Sequence, residues 1–180
     1  MDKEQKIPEI VQFETPLGDK VLRAVSKEIP VDKILNSENQ NLIKGLKAAL
    51  ANQGDGVGLS APQIAISKRI FVINPDVYAG LIDTLPENTP VKTVFINPEI
   101  IATSKDRKTL DEGCLSVRPW YGKVKRATRT TVRAYDENGE IFKLEGRGLL
   151  AQAFQHEIDH LDGILFIDKA KNLKKVDGLV

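Results

Sequence analysis

Between Ser37 and Ala51 the apolar positions Leu42, Ile43, Leu46, Ala49 and Leu50 recur at the three- and four-residue spacing of one helix face. Ser37 with Gln40 three residues later reads as a capping box, and Gly54 is a stop signal, so the pattern predicts a helix from about Ser37 that Gly54 ends. A second stripe, Leu150, Phe154, Ile158 and Leu161, predicts a helix from about Gly148 to Leu161, closed by Gly163. Between the two helices the period shortens. Ile70–Ile73 is a continuous apolar run before Asn74-Pro75 and reads as a strand. Residues 91–96 and 100–103 read as further strands, separated by Asn97-Pro98. Residues 123–135 alternate and are rich in Thr and Val. The turn Asp136-Glu137-Asn138-Gly139 sends them back into 141–145 as a hairpin.

Other stretches lack periodicity. Residues 1–19 are polar and punctuated by Pro8, Pro16 and Gly18, which predicts an extended N-terminal arm. Residues 54–63 form a glycine-rich loop, and residues 75–90, with three prolines, a surface loop. Strands before and around one buried helix predict an α+β fold, with mixed or antiparallel strands packed around a central helix. No internal repeat or boundary divides residues 1–180, so a single catalytic domain is expected.

Composition narrows the class. Apolar residues make up 41% and charged residues 28%, which excludes a disordered chain. Lys plus Arg is 26 against 25 Asp plus Glu, so the net charge of +1 gives no argument for a nucleic-acid site or an anionic membrane surface. No apolar run approaches the roughly 20 residues of a spanning helix. The start has no apolar core of a secretory signal, and a single cysteine agrees with a reducing compartment, so a cytoplasmic protein is expected.

The rarest side chains carry the chemistry. The only two histidines, His156 and His160, bracket Glu157 in an H-E-x-x-H sequence on the second predicted helix. Residues four apart share a helix face, so both imidazoles can reach one cation. Glu157 can reach a water beside it, as a general base must. No histidine or glutamate follows His160. Asp162 and Asp168 remain open in principle as a third ligand, although Asp162 sits at the end of the same helix. The stronger candidate is Cys114, in Glu112-Gly113-Cys114-Leu115-Ser116, where Gly113 permits close backbone approach. A lone cysteine is more often a buried structural thiol. Two histidines in need of a third ligand reverse that preference, and Cys-His-His with one open position is a known catalytic set.

Three segments resemble one family. Gly56-Val57-Gly58-Leu59-Ser60-Ala61-Pro62-Gln63, Glu112-Gly113-Cys114-Leu115-Ser116 and Gln155-His156-Glu157-Ile158-Asp159-His160-Leu161 are similar, in order, to the three motifs of peptide deformylases. The likeness runs from about Val21 to Asp168. It implies removal of the N-terminal formyl group from formyl-methionyl nascent polypeptides by a metal-dependent hydrolase. It implies Cys114, His156 and His160 as ligands of one divalent ion, Fe(II) in the cell, with Zn(II), Ni(II) or Co(II) in preparations. Glu157 would be the base, and Gln63 with the Leu115 backbone N–H would stabilise the oxyanion. Glu112 would pair with Arg126 and brace the cysteine loop.

Helix geometry places Leu149, Gln152 and Ala153 one to two turns before His156. With Val57, Gly58, Leu110 and Gly113 they are expected to wall a substrate pocket beside the metal. Implied partners are formyl-methionyl nascent peptides and a transient ribosome contact, with no membrane and a monomeric chain. Several features depart from the family pattern. Arg118 stands where a proline is usual, with Pro119, Trp120 and Tyr121 after it, and Gln152 is polar where an apolar residue is usual. The loop over 75–90 is longer than in compact bacterial forms, and the short tail 169–180 lacks the long C-terminal helix of some members. Two other readings compete: a different metal amidase or peptidase, and a metal-binding protein without turnover. The missing downstream ligand argues against the first, and Glu157 with Gln63 against the second.

Overall fold

The computed structural model describes residues 6–81 and 88–176. Four α-helices among them are α1 (Pro16–Leu22), α2 (Ser37–Ala51), α3 (Asp76–Ala79) and α4 (Gly148–Leu161). The strands are β1 (Gly58–Ser60), β2 (Ile70–Ile73), β3 (Val94–Thr103), β4 (Arg107–Gly113), β5 (Trp120–Ala127), β6 (Arg129–Tyr135), β7 (Ile141–Arg147) and β8 (Lys171–Lys175). They form a five-stranded sheet in the order β1-β2-β3-β6-β7 and a three-stranded sheet in the order β4-β5-β8. Every strand pairing is antiparallel. The α+β expectation holds. Helix α4 packs against β1, β6 and β7 of the five-stranded sheet and against β5 of the other.

The core explains why α4 is central. Phe154 meets Phe95 at 5.1 Å and Phe71 at 6.4 Å between ring centroids, and Phe71 stacks on Phe95 at 4.6 Å. Leu150, Phe154 and Leu161 are fully buried and Ile158 nearly so. Burying each such side chain is worth about 1.5–3 kcal/mol. The apolar stripe of α4 therefore anchors it, and the bounds expected from that stripe are the observed ones.

Local details differ from the sequence reading. Residues 16–19 of the expected extended arm are helical, in α1, which runs on to Leu22. Thr15 Oγ1 accepts the Gly18 N–H at 3.0 Å, and Pro16 supplies a preset φ at the first position. The rest of the described arm lies along the later motifs. The Val11 N–H donates to Gln63 O (2.9 Å), the Phe13 N–H to Ser116 O (2.7 Å) and Gln12 Nε2 to Leu115 O (2.9 Å). Asn36, not Ser37, caps α2, accepting the Asn39 N–H at 2.9 Å. Gln40 reaches instead to the carbonyls of Ile34 and Glu137. Asn52 rather than Gly54 ends that helix.

The two strands expected around Asn97-Pro98 are one strand, β3, with its register shifted between Ile96 and Glu99. Asn97 takes a φ of 48° there, and its side chain clasps Ile29 through both backbone groups. A bulge accommodates a proline that cannot donate to the ladder. The single strand expected over 123–135 is two, β5 and β6, in different sheets. The loop expected over 75–90 contains α3, and its residues 82–87 lie outside those described. Trp120 and Tyr121, which follow the Arg118 departure, open β5. Strands β4 and β8 were not read from the sequence at all.

The β6–β7 hairpin gives a stability prediction. Asp136 Oδ1 accepts the N–H groups of Asn138 (2.9 Å) and Glu140 (3.0 Å), and Lys92 Nζ donates to Oδ2 at 2.7 Å. Burial works against the charge, but these donors hold the Asp136 carboxyl below the usual carboxylate range. A depressed folded-state value stabilises the fold above the unfolded pKa and is lost as pH falls through the folded one. Asp136→Asn should therefore be less stable than the parent at neutral pH. The gap should close as the medium is made more acid than the ordinary aspartate range. Thermal midpoints measured across pH check this, and a gap independent of pH would refute it.

Candidate metal centre

Three elements converge on one point. Helix α4 carries His156 and His160 on one face, and their Nε2 atoms are 3.1 Å apart. The turn after β4 brings Cys114 Sγ to 3.2 Å from His160 Nε2. All three candidate ligand atoms lie within 4.8 Å of one another, and Cys114, His156 and His160 are 9, 9 and 1% exposed. Donors about 2.0–2.3 Å from a shared tetrahedral cation lie roughly 3.3–3.6 Å apart. The His156–His160 and Cys114–His160 spacings are within a few tenths of an ångström of that. The donor set therefore fits one divalent ion, and Cys114 and His156 also line the cavity beside it. Asp162 and Asp168, open in the sequence reading, are ion-paired elsewhere, to Arg69 and Arg23.

The electrostatics support the same fit. His156 Nδ1 donates to Glu112 Oε1 at 2.7 Å, which turns its Nε2 lone pair towards the cluster. Burial opposes charge on both imidazoles. Contacts with Cys114 and Glu112 nevertheless raise His156 well above the ordinary histidine value. Burial and the neighbouring His156 push His160 well below it. Two ring nitrogens this close cannot both hold a proton, and a cation would replace the proton they share.

Behind His156 stands a buried ion network. Arg126 donates from Nε (3.0 Å) and Nη2 (2.6 Å) to Glu112, and from Nη1 to Asp159 (2.6 Å). Burial disfavours the Glu112 carboxylate, but His156 and Arg126 hold its pKa well below the usual range. Gln152 Nε2 adds bonds to Asp111 O (3.0 Å) and Glu112 Oε2 (3.2 Å). Glu112→Gln should weaken metal affinity about 10- to 100-fold, since it removes the charge that orients His156. Titration of the apo-protein with Co(II), followed by absorbance, measures this. Unchanged affinity would show that the network serves folding alone.

The other expected residues are placed as follows. The 3-10 turn Ala61–Ile64 holds Gln63, which is 1% exposed. Its Oε1 accepts the Ser60 N–H and Oγ–H, both at 2.9 Å, so its Nε2 faces the centre, 3.6 Å from Cys114 Sγ and 3.3 Å from Ser116 Oγ. The Leu115 N–H makes no hydrogen bond among the described residues. Glu157 is 3% exposed, and its Oε2 has no partner among the described residues. Burial pushes its carboxyl up to about 7, with the charge on His156 working against the rise. Gly58 is needed beside it, since a Cβ there would lie 2.7 Å from Glu157 Oε1. Gly113 allows the Tyr121 ring to pack where a Cβ would meet it at 2.4 Å.

A cavity of about 230 Å³ opens from this centre. Val57, Gly58, Gly113, Leu149 and Ala153 line it, together with Gln63, Leu115, Cys114, His156 and Glu157. Leu110 does not line it: it pairs with Val124 inside the β4–β5 ladder, and the wall begins one residue later at Asp111. The sequence reading missed Asp159 as a partner of Arg126, Ser60 and Ser116 as partners of Gln63, and Asp55 as a wall residue. Only Asp159 carried a signal, three residues from His156 on the helix.

The family model for polypeptide deformylase matches residues 8–176. The chain belongs to the peptide deformylase family. This is a family of metal-dependent hydrolases. The peptide deformylase of Pelotomaculum thermopropionicum is 44% identical over 162 residues, which cover 89% of this chain and 92% of that relative. A crystal structure of the Synechococcus elongatus peptide deformylase in complex with actinonin superposes with a TM-score of 0.77 at 35% identity, covering 94% of this chain and 84% of that one. The Thermotoga maritima peptide deformylase gives 0.75 at 33% identity, covering 93% and 99%. Deformylase membership and the three-donor cluster agree on a metal-dependent site.

Proposed function

We propose that Cys114, His156 and His160 hold the metal of this enzyme and that Glu157, Gln63 and the Leu115 N–H carry its catalysis. As a family member the chain is a deformylase that removes the formyl group from the N-terminus of nascent polypeptides. The observation that carries the residue roles is the convergence of one thiol and two imidazoles beside a buried carboxylate at the floor of a cavity. A divalent ion, when bound, supplies charge that acidifies water and polarises a carbonyl.

The chain does the rest. Glu157 Oε2 takes a proton from the attacking water and returns it to the departing amine. Gln63 Nε2 and the Leu115 N–H are fixed donors for the charge that grows on the formyl oxygen. Losing one such donor typically costs about 2.7–4 kcal/mol of transition-state stabilisation. Val57, Gly58, Gly113, Leu149 and Ala153 bound the space for the methionine side chain.

Fe(II) would be the working ion of this proposal, held by Cys114, His156 and His160, where it would acidify water and polarise the formyl carbonyl. The protein acts in the cytoplasm as a monomer, with a transient ribosome contact. Among the described residues no helix is long and apolar enough to cross a membrane.

The test is formate release from formyl-Met-Ala and acetate release from acetyl-Met-Ala under anaerobic conditions. Strong preference for formyl is expected, since an acetyl methyl would enter the space between Gln63 and Leu115. Equal rates on both peptides would favour a general amidase.

A further inference from the structure

One ion pair ties the two lips of the cavity. Asp55 lies in the loop before β1 and Arg118 in the segment between β4 and β5, and both line the cavity. Arg118 Nη2 donates to Asp55 Oδ1 at 2.7 Å. The side chains are 23% and 46% exposed, so the pair sits at the mouth rather than at the metal-binding floor. Arg118 is the one lysine or arginine among the described residues that line the cavity, and it makes no other hydrogen bond among the described residues. A guanidinium has five N–H donors in a fixed fork. One is engaged here, which leaves capacity for a second carboxylate.

The surrounding acids do not cancel that capacity. Asp111 is paired with Lys123, and Glu112 is enclosed by Arg126 and His156. The same chain shows an arginine shared between two carboxylates, in Arg126 with Glu112 and Asp159.

We propose that Arg118 is a specificity-determining residue that takes a carboxylate on the residues following the formyl-methionine of the substrate. Asp55 orients the guanidinium and competes with the substrate for it. The inference rests on the deformylase reading. A substrate bound at the floor must leave through this mouth, so the side chains after methionine pass the pair. An acidic side chain there gains a charge-assisted hydrogen bond, and a basic one meets Arg118 as a like charge.

The test compares kcat/KM for C-terminally amidated tripeptides that differ only in charge: formyl-Met-Glu-Ala, formyl-Met-Gln-Ala and formyl-Met-Lys-Ala, and the same three residues at the third position. The holoenzyme, Arg118→Gln and Asp55→Asn are assayed at low and high salt. The wild type should favour Glu over Lys at one or both positions by about three- to fivefold, the range of a partly exposed pair, mostly through KM. Arg118→Gln should bring the ratio to near one. Asp55→Asn should move it the other way, to roughly twice the wild-type preference or more, because the competing carboxylate is gone. High salt should shrink the preference in both proteins that retain Arg118.

A pair that only braces the rim predicts the opposite pattern, with both variants losing rate on all peptides in parallel and their ratios unchanged. That outcome, or equal rates for Glu and Lys peptides in the wild type, would overturn the inference while leaving the deformylase reading intact. Absence of turnover on every peptide would overturn both.

Discussion

Glu157→Gln should lower kcat by about 10²–10⁴ while metal content, KM and fold stay near the wild type. The carboxylate is almost fully buried on α4, next to His156, with Oε1 leaning on the bare backbone of Gly58. A glutamine is nearly isosteric and fits the same gap. It keeps an acceptor oxygen but loses the ability to take a proton near neutral pH. The position of Oε2, buried without a partner among the described residues, supports a group kept for a reacting molecule rather than for folding. Single-turnover rates with a saturating formyl-methionyl peptide, together with metal analysis of the same sample, make the check. A variant that turns over normally would place the proton elsewhere. A variant that loses its metal would make Glu157 a residue of the metal site rather than the base.

Cys114→Ala should reduce bound metal from about one ion per chain to a small fraction of that, and abolish activity with it. Cys114 is the only cysteine in the sequence and supplies the only anionic donor of the three. Two imidazoles on one helix face bind a divalent ion far more weakly than the complete set, and their spacing alone excludes few competing ions. The fold should survive. Cys114 is a small side chain at the edge of a cluster formed by Leu22, Val117, Val124, Leu165 and Phe166, and alanine leaves that packing largely in place. Metal analysis after dialysis and a circular dichroism spectrum separate the two effects. Full retention of metal in the folded variant would sink the ligand assignment.

The ligand chemistry was legible because it is local. His156, Glu157 and His160 lie within one turn of a helix whose own apolar stripe is in the sequence, so helical period alone puts both imidazoles on one face. The stripe also determined the bounds of α4, and the alternation that ends at Tyr135 with the Asp136–Gly139 turn after it determined the β6–β7 hairpin. Cys114 was legible only as a residual, once no downstream histidine or glutamate remained.

Tertiary structure decided whatever depended on partners distant in the chain. Residues 123–135 alternate as one strand would. They split at Thr128 because the Gln155 side chain accepts the Ala127 N–H (2.9 Å) and donates to its carbonyl (3.0 Å), and the Thr128 N–H turns to Asp106 O (3.1 Å). The side-chain amide of α4 thus substitutes for a neighbouring strand, and no local pattern announces it. Strand β8, with all five residues exposed, has no alternation to read, and its pairing with β5 at the sheet edge defines it. The same holds for Arg118. Sequence marked it as a departure, but only the fold set it across a cavity from Asp55, 63 residues away. Periodicity encodes which face of an element is buried, and so the sequence by itself determined α4 and the two imidazoles of the candidate site on it. Which faces meet is a property of the packed whole, and this decided the approach of Cys114 to the two imidazoles, the buried Arg126 network and the charged mouth of the cavity.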